Sequence, residues 1–114
     1  MLKSSYIHPS PNAPVAVIFG GNPQKRHHVV TLIEALGAVT VFGTLSEEEG
    51  KNLLQLLPKV NYVLIGGRYS QEQRVRIRKF TAEVWPEAYT SEPGLEYPYA
   101  DEGIINDLIV KLKI

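Results

Sequence analysis

The chain has 114 residues and carries 12 Lys plus Arg against 12 Asp plus Glu, so no overall field attracts nucleic acid or a membrane surface. It contains no cysteine, which excludes thiol catalysis, cysteine-ligated metals and disulfides. No apolar run reaches the length of a membrane span, and the N-terminus lacks the apolar core of a signal peptide. We therefore expect a globular, cytoplasmic protein without specific nucleic-acid binding or membrane association.

The first 14 residues are expected to form an extended arm. Three prolines fall within it, and each opposes regular secondary structure. Tyr6 and Ile7 can attach the arm either to the body of its own chain or to a second subunit. Residues 15–114 are then expected to form a single α/β domain.

One stretch near the N-terminus predicts a strand, a glycine turn and a helix. Val15–Phe19 is a short apolar run without alternation, which is typical of a strand covered on both faces. Gly20 and Gly21 form the turn, and Asn22 followed by proline is a favourable helix start. The helix is expected to stop near Gly37.

Three further strands and three further helices follow. The strands are predicted at Ala38–Phe42, Val60–Ile65 and Glu87–Ser91, with Val84-Trp85 as an alternative part of the last one. The helices are expected to start at Ser46, Ser70 and Asp101, each a residue type that caps a helix N-terminus. In the helix after Ser46, four leucines are expected to face the core: Leu53, Leu54, Leu56 and Leu57.

The alternation of strands and helices predicts a three-layer α/β sandwich with a four-stranded parallel sheet. We expect the strand order 2-1-3-4, with the predicted strands numbered along the chain. This order resembles that of flavodoxin-like folds, which are Rossmann-like in layering, and the architectural resemblance covers most of the chain. Because a sheet this small has two exposed edges, we also expect the chain to form a homodimer.

The motifs of well-known families with this architecture are missing. Receiver domains carry acidic residues after the first and third strands, where this chain has Gly20-Gly21-Asn22 and Gly66-Gly67-Arg68. The hydroxyl-rich loop of flavodoxins, the third glycine of the dinucleotide fingerprint and the Gly-Lys-Ser/Thr of the P-loop are also absent. No catalytic residue can be carried over, and a non-catalytic role is favoured.

The candidate binding site lies after the first and third strands, each of which ends in two glycines. In the expected order these ends are adjacent, at the crevice where open α/β sheets bind ligands. Glycines there let a ligand approach backbone N–H groups, although turn geometry alone is an alternative reason for them. The predicted ligand-binding residues are Gly20, Gly21, Asn22, Lys25, Arg26, Gly66, Gly67 and Arg68.

Charge at the helix starts favours an anionic ligand. Lys25 and Arg26 lie in the first turn of their helix, where the macrodipole disfavours cations, whereas the other three helices carry acidic residues there. A bound phosphate or carboxylate would reverse that cost, and the planar guanidinium of Arg68 suits the same ligand. The pattern predicts a site for a phosphorylated small molecule or nucleotide, with neither a cofactor nor a metal. Solvated surface cations are the alternative.

Two other functions remain open from the sequence. One is a receiver-like interaction or dimerisation module without a phospho-acceptor. The other is a hydrolase or transferase that uses His27 or His28 with Ser70 or Thr90. The loop that follows the last strand carries tyrosines, which either cover a ligand at the glycine edge or pack over the sheet. The basic side of the third helix is interpreted as solvated; it carries Arg74, Arg76, Arg78 and Lys79.

Overall fold

The computed structural model describes residues 2–114, and Met1, the first residue of the predicted arm, lies outside the described residues. The strands are β1 (Ser5–Tyr6), β2 (Val15–Phe19), β3 (Thr40–Thr44), β4 (Tyr62–Ile65) and β5 (Tyr89–Ser91). The helices are α1 (Pro23–Glu34), α2 (Glu47–Leu56), α3 (Gln71–Val84) and α4 (Asp101–Leu112). Strands and helices alternate from β2 onwards, so the predicted α/β class is confirmed.

The sheet has five strands in the order β1-β3-β2-β4-β5 and is mixed. The strands β3, β2, β4 and β5 pair in parallel, whereas β1 runs antiparallel to β3. The prediction of a four-stranded, wholly parallel sheet is therefore wrong. The additional strand lies in the arm, where only Ser5 and Tyr6 are paired, and two residues are too few to give a strand pattern in the sequence.

The arm lies along the body of its own chain. The Lys3 backbone N–H donates to Nδ1 of His27 at 2.8 Å, which ties the arm to α1. The His8 backbone N–H donates to Oγ1 of Thr40 at 2.9 Å, which ties it to β3. Of the two residues predicted to attach the arm, Tyr6 packs against the core of its own chain, whereas Ile7 is 67% exposed.

Two apolar cores lie on opposite faces of the sheet, and β2 contributes to both. Ala16 and Ile18 belong to one core, which α1 and α4 cover, and Val17 and Phe19 belong to the other, which α2 and α3 cover. The helices bury Val30, Ile33, Ile104 and Leu108 in the first core and Leu54 and Ile77 in the second. The sheet is therefore the middle layer of three.

The predicted helix starts and buried helix faces agree with the structure only in part. Ser46 and Ser70 cap α2 and α3 through their hydroxyl oxygens. Asp101 is the first residue of α4 and does not cap it, because Ala100 holds the cap position. Leu54 is fully buried but Leu56 is 80% exposed, since residues two apart on a helix point about 200° from each other.

A bidentate ion pair joins α2 to α3. Nε and Nη2 of Arg76 donate to the two carboxylate oxygens of Glu47, each at 2.8 Å, and Nζ of Lys51 lies 2.9 Å from the same carboxylate. The hydrogen bonds from Arg76 and then from Lys51 lower the pKa of Glu47 from 4.5 to about 2. The ionised form of Glu47 is therefore favoured by folding.

We expect the Glu47→Gln variant to be less stable than the wild type at neutral pH and equally stable in strong acid. Because folding lowers the pKa of Glu47, its contribution is complete above pH 4.5 and is lost as the pH falls to about 2. Urea denaturation at a series of pH values measures this difference in the free energy of unfolding. Glu48→Gln, on the same turn but exposed, is the matched control. A difference for Glu47→Gln that stays constant down to pH 2 would contradict this assignment.

Candidate functional site

The C-terminal ends of β2 and β4 lie side by side, with Phe19 paired to Ile65. Hydrogen bonding continues one residue beyond the strands. The Gly20 N–H donates to the Thr44 carbonyl and the Gly66 N–H donates to the Phe19 carbonyl, both at 2.9 Å. The structure thus brings the two glycine turns together at one edge of the sheet.

A narrow crevice of about 20 Å³ lies between the two turns. It has room for about one water molecule. Six of the eight predicted ligand-binding residues line it: Gly20, Gly21, Lys25, Gly66, Gly67 and Arg68. Tyr99 lines it as well, and Nζ of Lys25 lies 4.9 Å from the centroid of the Tyr99 ring. A cation–π contact therefore covers the crevice.

The cap residue of α1 satisfies one of the backbone donors at the start of the helix. Oδ1 of Asn22 accepts the Lys25 N–H at 2.8 Å, and the Asn22 carbonyl accepts the Arg26 N–H at 3.0 Å in the first regular helical bond. Pro23 has no N–H, so Asn22 and Gln24 carry the other two donors that precede this bond. Asn22 therefore acts as a helix cap, and an anion at this helix end would meet these backbone donors as well as side chains.

The Arg26 side chain lies away from the crevice, across Gly43 of β3. A Cβ atom at Gly43 would lie 2.5 Å from Cγ of Arg26, so the glycine makes room for the arginine stem. Nε of Arg26 is buried and has no hydrogen-bond partner among residues 2–114. A buried donor without an acceptor is unfavourable, so an acceptor from solvent or from a ligand would stabilise this arrangement.

The Arg68 stem crosses Gly21 at the mouth of the crevice. A Cβ atom at Gly21 would lie 2.5 Å from both Cβ and Cδ of Arg68, so this glycine also makes room for an arginine. Beside it, the Tyr69 hydroxyl donates to the Gly20 carbonyl at 3.1 Å and joins the two turns. Burial raises the pKa of Tyr69 from 10 to about 12, so the hydroxyl remains a donor even in moderately alkaline solution.

The two histidines of α1 make structural contacts. Nδ1 of His27 accepts a backbone N–H from the arm, and Nε2 of His28 lies 2.8 Å from Oδ1 of Asp101. The sequence reasoning missed Asp101 as a partner because 73 positions separate it from His28. Ser70 caps α3, and no hydrogen bond in the described part of the chain joins either histidine to Ser70 or Thr90.

Three cations of α3 are paired within the chain. Arg74 donates to two carbonyls of the β4–α3 turn, Arg76 to Glu47, and Arg78 to Glu92. The interpretation of this side as merely solvated is therefore incomplete. The absence of specific nucleic-acid binding stays a prediction.

Replacing Arg26 by Met should preserve or raise the free energy of unfolding, whereas Arg26→Ala should lower it. Methionine retains the stem over Gly43 and removes the buried Nε, while alanine removes both. We expect the Ala variant to be less stable than the Met variant by about 1–3 kcal/mol in urea denaturation. Lys79→Met, at an exposed position on α3, is the control and should stay within about 0.5 kcal/mol of the wild type. A Met variant less stable than the Ala variant would show that Nε is satisfied in solution.

Residues 2–114 contain neither a metal-binding cluster nor a membrane-crossing helix. No three side chains of metal-ligating type lie close enough together there to hold an ion. Over the same range, no helix combines the length and the apolar character needed to cross a bilayer. Comparison of the chain with protein-family models, with curated proteins and with solved structures finds no match. Its function must therefore be argued from its own geometry and charge.

Proposed function

We propose that this chain is a small binding domain for the anionic group of a phosphorylated small molecule or nucleotide. The observation that carries the proposal is the convergence of Lys25 and Arg68, from two different elements, on one crevice between two glycine turns. The order β3-β2-β4-β5 of the parallel strands supports this edge as the binding edge, because ligands of open α/β sheets bind where the strand order reverses, here between β2 and β4. No catalytic residue is proposed.

Tyr99 must move for the anion to enter, because a phosphate group is larger than the space of about 20 Å³ beneath it. Tyr99 is held there by its contact with Lys25. An exposed cation–π contact contributes about 0.5–1 kcal/mol, whereas a hydrogen bond between charged groups contributes about 1.5–3 kcal/mol. An anion that engages Lys25 therefore outweighs the contact that it breaks.

Asn22 and Arg26 have a supporting part in this proposal. Asn22 fixes the first turn of α1 and so sets the direction in which Lys25 leaves the helix. Arg26 packs across Gly43 and holds the same turn against β3. The groups proposed to contact the anion are the side chains of Lys25 and Arg68 and the backbone of the glycine turns.

Titration with inorganic phosphate, AMP and glucose 6-phosphate tests the proposal. At least one of the three compounds should raise the melting temperature of the wild type. The Arg68→Gln variant should bind that compound at least about tenfold more weakly than the wild type, as measured by calorimetry. Tyr99→Ala should bind inorganic phosphate at least as well as the wild type, because the cover is removed. Lys79→Gln is the matched control for loss of a surface cation. If none of the three compounds stabilises the wild type, the proposal fails.

A second candidate function, a protein-interaction or dimerisation module, is favoured by one groove. This groove, of about 370 Å³, lies between β1 and α2, and its lining includes Phe42, Leu53 and the highly exposed Leu56. Together these three apolar side chains line one groove, and grouped exposed apolar side chains, unlike single ones, are typical of a contact surface. The proposed partner is a second copy of the chain.

We expect sedimentation velocity to show a dimer of the wild type at micromolar concentration and a monomer of Leu56→Ser. The substitution removes an exposed apolar contact without disturbing the core, since Leu56 is 80% exposed. Val110→Ser is the matched control, because Val110 is 73% exposed on α4, away from the groove. A monomeric wild type, or equal effects of the two substitutions, would exclude a dimer formed through this groove.

A further inference from the structure

A larger cleft lies between α3 and the turn that follows β5. Its volume is about 360 Å³, and it shares no lining residue with the crevice between the glycine turns. Its lining residues are Tyr69, Gln71, Arg74, Arg78, Glu92 and Leu95. Three charged groups therefore meet in one concave space of a size that suits a small metabolite.

Glu92 is the unusual group in this cleft. Its side chain is only 4% exposed, and one carboxylate oxygen, Oε2, accepts a hydrogen bond from Nη1 of Arg78. The other oxygen, Oε1, is buried and has no hydrogen-bond partner among residues 2–114. A buried carboxylate oxygen without a donor is costly, so this position calls for a hydrogen-bond donor from outside the chain.

Arg74 lines the same cleft as Glu92, and two backbone carbonyls hold its side chain. Its Nε donates to the Tyr69 carbonyl at 3.2 Å and its Nη2 donates to the Gly67 carbonyl at 3.0 Å. These bonds orient the guanidinium and leave the Nη1 amino group for a ligand. Arg74 and Arg78 are four residues apart on α3 and so share one face of the helix.

The charges of the cleft select among ligand types. A simple anion would engage Arg74 and leave Oε1 of Glu92 without a donor. A simple cation would meet Oε1 but would leave the guanidinium of Arg74 without an anion. A small zwitterion satisfies both requirements, because its cationic group donates to Glu92 while its anionic group accepts from Arg74.

We propose that this cleft binds a zwitterion of the α-amino-acid class, with its ammonium on Oε1 of Glu92 and its carboxylate on Nη1 of Arg74. Leu95 and the ring of Tyr69 provide apolar surface for the side chain of the ligand. Oε1 is shielded from solvent, so the ligand reaches it when the Arg78 side chain, which is 42% exposed, swings outwards. The ammonium carries three N–H donors and so takes the place of Arg78 on Oε2 as well. This site is separate from the proposed anion crevice and does not depend on it.

The first test uses the wild type alone. The standard L-amino acids are titrated one at a time by calorimetry, and the tightest is compared with its N-acetyl and amide derivatives. The N-acetyl derivative lacks the ammonium and the amide lacks the carboxylate, so each should bind at least about tenfold more weakly. Binding of no free amino acid, or equal binding of the derivatives, would overturn the proposal and leave Oε1 to solvent.

The second test changes the protein. Glu92→Gln should weaken amino-acid binding at least about tenfold and leave the response to inorganic phosphate at the glycine turns unchanged. Glu87→Gln, an exposed glutamate ahead of β5, is the matched control. A folded Glu92→Gln variant that binds the amino acid as tightly as the wild type would overturn the proposal. If Glu92→Gln does not fold, the comparison of derivatives on the wild type decides.

Discussion

The burial of β2 on both faces and along both edges determines where this protein can place polar side chains that bind a ligand. Ala16, Val17, Ile18 and Phe19 are all at most 1% exposed, and β3 and β4 take up the hydrogen bonds on the two sides of the strand. The side chains in the middle of β2 therefore cannot meet a ligand. The proposed binding groups come instead from the turns after the strands and from the helices α1 and α3, which converge beyond the strand ends.

Local patterns predicted much of this architecture, while contacts between distant positions did not follow from them. The apolar run of β2, the Asn22 cap and the serine caps depend on neighbours within a few residues, and the structure shows them. The strand β3 begins at Thr40, two residues later than predicted, because its pairing with β2 starts there, opposite Val15. The pairing of β1 with Val41 and Phe42 was not predicted at all. Pairing with a proline-containing arm leaves no periodic signal in the sequence.

The candidate sites were likewise predicted only in part, because some of their contacts join distant positions of the chain. The sequence placed Lys25, Arg68 and the glycines at one edge and expected tyrosines of the last loop nearby, but it could not single out Tyr99. It included Arg26, whose stem turns towards Gly43 because successive helical side chains point about 100° apart. Glu92 was missed altogether, since glutamate is ordinarily exposed and its burial depends on Arg78, 14 positions away.

The short strand β1 also lowers the tendency of the chain to aggregate through the edge of its sheet. Without β1, the outer edge of β3 would present a row of free N–H and C=O groups. Such an edge is a template for aggregation by strand addition. The arm covers that edge with two residues and then enters a proline-containing segment that cannot extend the ladder. At the opposite edge, Nζ of Lys111 donates to the Thr90 carbonyl at 2.9 Å and occupies an acceptor of β5. Both borders of the sheet are thus poor seeds for fibrils, and a chain shortened by its first 14 residues would lose that protection on one side.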